Sequence, residues 1–225
     1  MPRQMPPTSY ALQPYNVILS SGGAIRILRA LLAHGGSLPV SRLAMDTTMT
    51  ADGVRGVLAN LERCGVVEMV GSGRSRLYRA ITDHPLVTGL ETLFAAERRR
   101  YEGMLSAIAD AAIDPQIAAA WLFGSVARHE DGPDSDLDVA VVVEGGADDL
   151  DRVSDHLRAT LSAAGERAGF RVSVVSMSMD DLRRHRDEGS VLWAGLAPHA
   201  VPVKGPTPAR LAGQKAGRPS AGGAA

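Results

Sequence analysis

The apolar positions change period several times along the chain, and each change marks an element. From Ala24 to His34, Ile25, Leu28, Leu31 and Leu32 recur at helical spacing until Gly35-Gly36 ends the run. Val40 to Met45 predicts a short second helix. After the polar turn DTTMT, Thr50 stands as the N-cap of a third helix, in which Val54, Val57, Leu58 and Leu61 form one face before Gly65 stops it. GVVEMV, GSGRS and RLYRAI then read as strand, turn and strand, β-prone flanks around a Gly/Ser centre.

Beyond the hairpin the period returns to helical. Leu86, Leu90, Leu93, Tyr101, Met104, Leu105 and Ile108 trace a stripe along one helix or a pair. A second subunit covering this stripe, as a homodimer, and packing against the chain's own domains are equal alternatives. IAAAWLF (117–123) reads as a buried strand by its unbroken apolar character, and DSDLDVAVVV as a second buried strand that opens on acids. A helix over 148–164, the strand FRVSVVSMS, then helix, turn, helix and a short final strand complete the pattern. The proline-rich first 15 residues predict a loose arm, folding back at Tyr10 or Tyr15, and the Gly/Ala/Pro-rich segment from Gly205 has too little apolar surface to offset its ordering entropy.

The fold class expected is therefore α+β. A flexible arm (1–15) precedes a winged helix-turn-helix (16–82), a helical connector (83–112), an α/β domain with a small mixed sheet (113–204) and a disordered tail (205–225). Charge separates the two halves. Overall the chain carries a net −1, but residues 16–90 hold eight basic and five acidic residues, whereas 101–204 hold nine basic and eighteen acidic. A polyanionic partner belongs to the first half. No apolar run reaches the roughly 20 residues of a membrane span, and the N-terminus lacks the layout of a signal peptide, so a cytoplasmic protein without a membrane partner is expected. Cys64 reads as a small buried residue, and His185 and His199 as surface residues.

The segment SRLAMDTTMTADGVRGVLANLERCGVVEMVGSGRSRLYRA resembles the winged-helix transcription regulators of bacteria and archaea. With the apolar face of the third helix buried, Thr50, Ala51, Asp52, Arg55 and Gly56 point outward, small enough for the backbone to approach a major groove. Arg55 is the best base reader there. Arg74 and Arg76 at the wing tip suit phosphates or the minor groove of double-stranded DNA.

Candidate chemistry lies in the second half. Gly124-Ser125 follow a buried strand directly, where backbone N–H groups and a hydroxyl can face phosphate. Asp136 and Asp138 open the next strand. Residues two apart on a strand share a face at about 7 Å, so both carboxylates can reach one divalent ion, for which hard oxygen ligands suit Mg²⁺ or Mn²⁺. The run GSVARHEDGPDSDLDVAVVV resembles the signature of the minimal nucleotidyltransferases, a branch of the polymerase-β-like superfamily. The resemblance spans roughly 101–204. It implies Asp136 and Asp138 as metal-binding catalytic acids, Gly124 and Ser125 as phosphate contacts, and Arg128 and Ser135 as nucleotide-binding neighbours. His129 occupies a place where the family often has glycine. The family's third acid is expected on FRVSVVSMS, where Ser173 stands instead, and a serine can neither balance metal charge nor take a proton as a carboxylate would. Asp180 and Asp181 read as part of a capping box in SMDD.

Binding of Mg–nucleoside triphosphate, with nucleotidyl transfer to an unnamed acceptor, is thus what the resemblance implies. Two alternatives stay open. One is a transcriptional regulator whose second domain is a catalytically silent nucleotide sensor or dimerisation module. The other is an enzyme whose winged helix only positions a partner.

Overall fold

The computed structural model describes residues 9–72 and 76–214, which divide into two compact units between Arg98 and Arg99. The first begins with a single turn, α1 (Tyr15–Ile18), and with α2 (Gly22–His34), which starts two residues before its apolar pattern because the hydroxyl of Ser21 accepts from the Ala24 N–H. A two-residue strand β1 (Leu38–Pro39) leads into α3 (Val40–Thr47). The next helix, α4 (Ala51–Arg63), is capped as its sequence predicts, the Thr50 hydroxyl accepting from Gly53 at 3.2 Å. β2 (Val67–Val70) and β3 (Leu77–Ala80) pair antiparallel, and β1 adds to β3, giving the sheet order β1-β3-β2. Three helices with a hairpin beside them form a winged helix. Of the predicted stripe residues Leu28, Leu31, Val54, Leu58 and Leu61 are essentially inaccessible, Ile25, Leu32 and Val57 are partly buried, and Ile27, outside the predicted stripe, joins the core.

The proline-rich arm is partly held. Tyr10 donates to the Cys64 carbonyl at 3.0 Å and Tyr15 to that of Leu86 at 2.8 Å, which fixes residues 10–15 on the winged helix. Cys64 is buried and free, as its position suggests.

The predicted stripe from Leu86 to Ile108 lies on one continuous helix, α5 (Pro85–Ala111). Its first half contributes Val87, Leu90 and Phe94 to the first core, and its second half gives Met104 and Ile108 to the second. Leu93 remains about half exposed.

The second unit is built on a mixed sheet of order β6-β5-β4-β7. β4 (Ile117–Phe123) pairs antiparallel with β5 (Leu137–Val143) and with β7 (Val201–Lys204), while β5 runs parallel to β6 (Val172–Ser178). The crossover between the parallel strands is α7 (Ala147–Ala168). One turn of helix, α6 (Gly124–Ala127), follows β4, and α8 (Met179–Asp187) and α9 (Val191–Leu196) follow β6. One sheet face packs Val139, Val141 and Leu122 against α5 and α7. The other buries Trp121, Ala140 and Val142 with residues of α8 and α9. Among the described residues no helix is long and apolar enough to cross a membrane.

The expectation of a structureless tail from Gly205 is corrected over residues 205–214. Gly205 turns the chain with φ +72°, and a Cβ there would sit 2.4 Å from the Ala118 carbonyl oxygen. The Trp121 indole N–H donates to the Pro206 carbonyl at 2.8 Å, and α10 (Pro208–Ala212) buries Leu211 and Ala212 against Trp121's face of the sheet. A segment this poor in apolar residues orders because Leu211 and Ala212 close a core that the sheet already supplies. Leu211→Ala should therefore lower unfolding stability by about 2–3 kcal/mol, read from a denaturant or thermal melt. An unchanged melt would restore the structureless tail.

Candidate functional site

The site forms at one end of β4 and β5, where two pairing registers meet. In the antiparallel pair Phe123 faces Asp138, so Gly124, the next residue, turns directly against the Asp138 carboxylate. Gly124 has φ +75°, and a Cβ built on it would lie 2.1 Å from Asp138 Oδ2. Glycine is required here twice over, by the left-handed backbone and by the close approach. On the other side the parallel register sets Asp138 opposite Ser173, whose hydroxyl hydrogen-bonds its carboxylate.

Asp136 precedes the strand by one residue and shares its face with Asp138. Burial, and then the charge of Asp136, raise the pKa of Asp138 above the ordinary aspartate value, against weaker opposing contributions from Ser173 and Arg128. The two carboxylates therefore feel each other, as the period of two implies. Asp136 is half exposed, yet its Oδ1 is buried and lacks a hydrogen bond. Arg171 Nε lies 2.9 Å from that oxygen, an ion pair without hydrogen-bond alignment, while its guanidinium also donates to the Asp134 carbonyl at 2.9 Å. Arg171 is about three-quarters exposed. Pairs of this kind contribute about 0–1 kcal/mol, so a divalent ion can displace it.

The other candidate residues separate. Arg128 lies near enough to lower the pKa of Asp138, but its guanidinium is paired with Glu130 at 2.7 Å. Ser135 accepts from the Gly132 N–H at 3.0 Å, so its hydroxyl braces the loop before β5. Ser125 lies within α6, half-buried. That helix is a single turn, so its dipole is small, and the contact between Gly124 and Asp138 supports the site more than a helix end does. His129 has φ +57° and ends the turn in the left-handed region, which accounts for a position where glycine would be at ease. Asp181 accepts from the hydroxyl and the N–H of Ser178, an arrangement that lowers its pKa, and Asp180 pairs with Arg183, so both acids serve α8. Among the described residues no third His, Cys, Asp or Glu joins Asp136 and Asp138.

Two carboxylates with a hydroxyl beside them suit a single Mg²⁺ that keeps water and phosphate oxygens as its remaining ligands. The unsatisfied Asp136 oxygen and the mutual repulsion of the acids are features that a bound cation would relieve. The contribution of Arg171 was missed from the sequence. Its only signal is that Arg171 and Ser173 share the spacing of Asp136 and Asp138 on the neighbouring strand.

On the winged helix, Thr50, Asp52, Arg55 and Gly56 are exposed and Ala51 is half-buried. Arg55 pairs with Asp52 one turn before it, Arg42 with Asp46, and Arg79 with Glu68 across the hairpin. Arg76 is exposed with no ion pair among the described residues, and Arg74 lies outside them. Thr50 spends its hydroxyl on the helix cap.

No curated protein matches the chain. Three solved structures resemble parts of it. The AntR antimony-specific transcriptional repressor aligns at 23% identity and TM-score 0.35, over 45% of this chain and 91% of its own. The MarR family transcriptional regulator SPO1453 from Silicibacter pomeroyi DSS-3 aligns at 24% and 0.35, over 44% and 73%. A toxin-antitoxin solved with AMP-PNP aligns at 14% and 0.30, over 51% and 79%. Residues 107–185, which contain both aspartates, Gly124 and Ser173, match the family model "Polymerase beta, Nucleotidyltransferase", so the second unit carries a nucleotidyltransferase domain of the polymerase beta type.

Proposed function

We propose that this chain is a DNA-binding protein whose nucleotidyltransferase domain binds Mg–nucleoside triphosphate and transfers nucleotidyl groups slowly or not at all. The observation that carries the nucleotide half is the approach of the Asp138 carboxylate to Gly124 beside Asp136. Asp136 and Asp138 would hold the ion, whose charge would be shared with the triphosphate oxygens. Gly124 and Ser125 offer backbone N–H groups and a hydroxyl to the phosphates, and Arg128 adds positive charge once released from Glu130. What argues against transfer is Ser173. It occupies the register position facing Asp138 and its hydroxyl donates a hydrogen bond to that carboxylate, so no base stands there to receive a proton from an acceptor.

For the winged helix, DNA binding is supported by exposed Arg55 on α4 and Arg76 beside the wing. The Arg55–Asp52 pair is an exposed one, of the class worth about 0–1 kcal/mol, and its loss is a minor cost next to the about 1–3 kcal/mol of a bidentate guanine contact.

The nucleotide reading is checked by thermal shift. Mg–ATP at a hundred times its Kd should stabilise the native protein by about 2.7 kcal/mol, and Asp136→Asn and Asp138→Asn should abolish the shift. Without ligand the raised pKa of Asp138 has its own consequence. The folded state holds that proton more tightly than the unfolded chain, so stability falls as pH rises through the window between the two pKa values. Asp138→Asn should accordingly melt above the native protein near pH 7, with the gap closing as pH drops to about 4. Radiolabelled transfer assays should give little or no product for the native chain and clearly more for Ser173→Asp, whose stability should become Mg²⁺-dependent. Strong native transfer would refute the silent reading. On DNA, Arg76→Ala should reduce the slope of log affinity against log salt by about 0.9, measured by anisotropy on duplex DNA. An unaltered slope would remove the wing from the interface.

A further inference from the structure

On the opposite face of the same strands lies a pocket of about 330 Å³, within the size range of small-molecule sites. It is formed because α5 and α7 meet through small residues. Gly103 and Ala107 face Ala164 and Gly165 where larger side chains would interlock, and Leu137 and Val172 form the floor. Leu137 stands between Asp136 and Asp138, and Val172 between Arg171 and Ser173, so the floor consists of the alternate residues of the strand segments that bear the acids.

The lining is apolar apart from three arginines, Arg99, Arg100 and Arg167, and includes no carboxylate. Arg100 is held over the Phe170 ring at 4.0 Å, which keeps its charge at the pocket. Arg99 and Arg167 make no ion pair among the described residues, unlike most arginines of this unit. Three cations around an apolar cavity, in a unit with an acidic excess, is a local reversal of charge.

We propose that this pocket binds a small amphipathic anion, with an apolar body seated between Met104, Ile108, Leu161 and Val172 and a carboxylate or sulfonate facing the arginines. The volume suits a small organic body. The charge complementarity favours an anion over a neutral hydrocarbon or an apolar helix from a second copy.

Gly103 provides the test. A Cβ at this position meets no atom within 4 Å, so a larger side chain can be introduced at this lining position of α5 without crowding at its first carbon. The full-length protein is titrated with 8-anilinonaphthalene-1-sulfonate, an apolar anion that fluoresces when bound, and with its neutral counterpart N-phenyl-1-naphthylamine. The native protein should bind the sulfonate, and decanoate should displace it. Gly103→Leu should weaken sulfonate binding at least about tenfold while keeping native helicity and melting temperature. Arg99→Ala combined with Arg167→Ala should weaken the sulfonate at least about fivefold and leave the neutral dye unchanged. Sulfonate binding that survives Gly103→Leu overturns the proposal, as does equal loss of both dyes in the arginine variant. Self-association of the native chain that Gly103→Leu abolishes, without dye binding, would assign the pocket to a second copy and overturn it too. Mg–ATP binding measured in Gly103→Leu separates the two sites: its retention keeps the nucleotide reading independent of this one.

Discussion

The arrangement of the second unit depends on the close packing of Gly124 against the Asp138 carboxylate. β5 lies between an antiparallel neighbour and a parallel one, so the backbone around Asp138 is fixed on both sides by ladder hydrogen bonds. Neither partner can shift by one residue without exchanging its buried and exposed faces. The carboxylate is therefore held where a left-handed glycine passes beside it, and any side chain at 124 would have to displace the acid or the turn. Burial at that point is the largest cause of the raised pKa of Asp138.

Charge balance then sets what the site can do. Two carboxylates, one opposed by the exposed Arg171 and one receiving a hydroxyl, form a weaker cation site than three acids would. Such a pair can share an ion with a triphosphate, since the ligand brings its own oxygens, but it offers no spare base. The alternation of β5 and β6 separates two environments by the thickness of a sheet. Asp136, Asp138 and Ser173 lie on one face, and Leu137 and Val172 line an arginine-rimmed apolar cavity on the other.

The winged helix is organised differently. Its core is a set of aliphatic side chains in helical register, and several of its surface cations are paired with an acid, Arg55 with Asp52, Arg42 with Asp46 and Arg79 with Glu68. Such exposed pairs are weak, worth about 0–1 kcal/mol each.

Elements with a strong local period were legible in the residues alone. The three helices of the first unit, the hairpin after Gly65, the strands at 117–123 and 137–143 and the capping box at Ser178 all follow from side-chain spacing and cap chemistry, which act within a few residues. The pairing of Asp136 with Asp138 was legible for the same reason, since a strand's period of two is local. Tertiary structure alone decided that Arg171 reaches Asp136, that Ser135 turns to its own loop, and that Leu211 and Ala212 order a segment composed like a linker. Each of these depends on which strand lies beside which and in what register, or on a core assembled from distant residues. Such contacts are fixed by the packing of the whole unit and leave almost no trace in the spacing of the residues that make them.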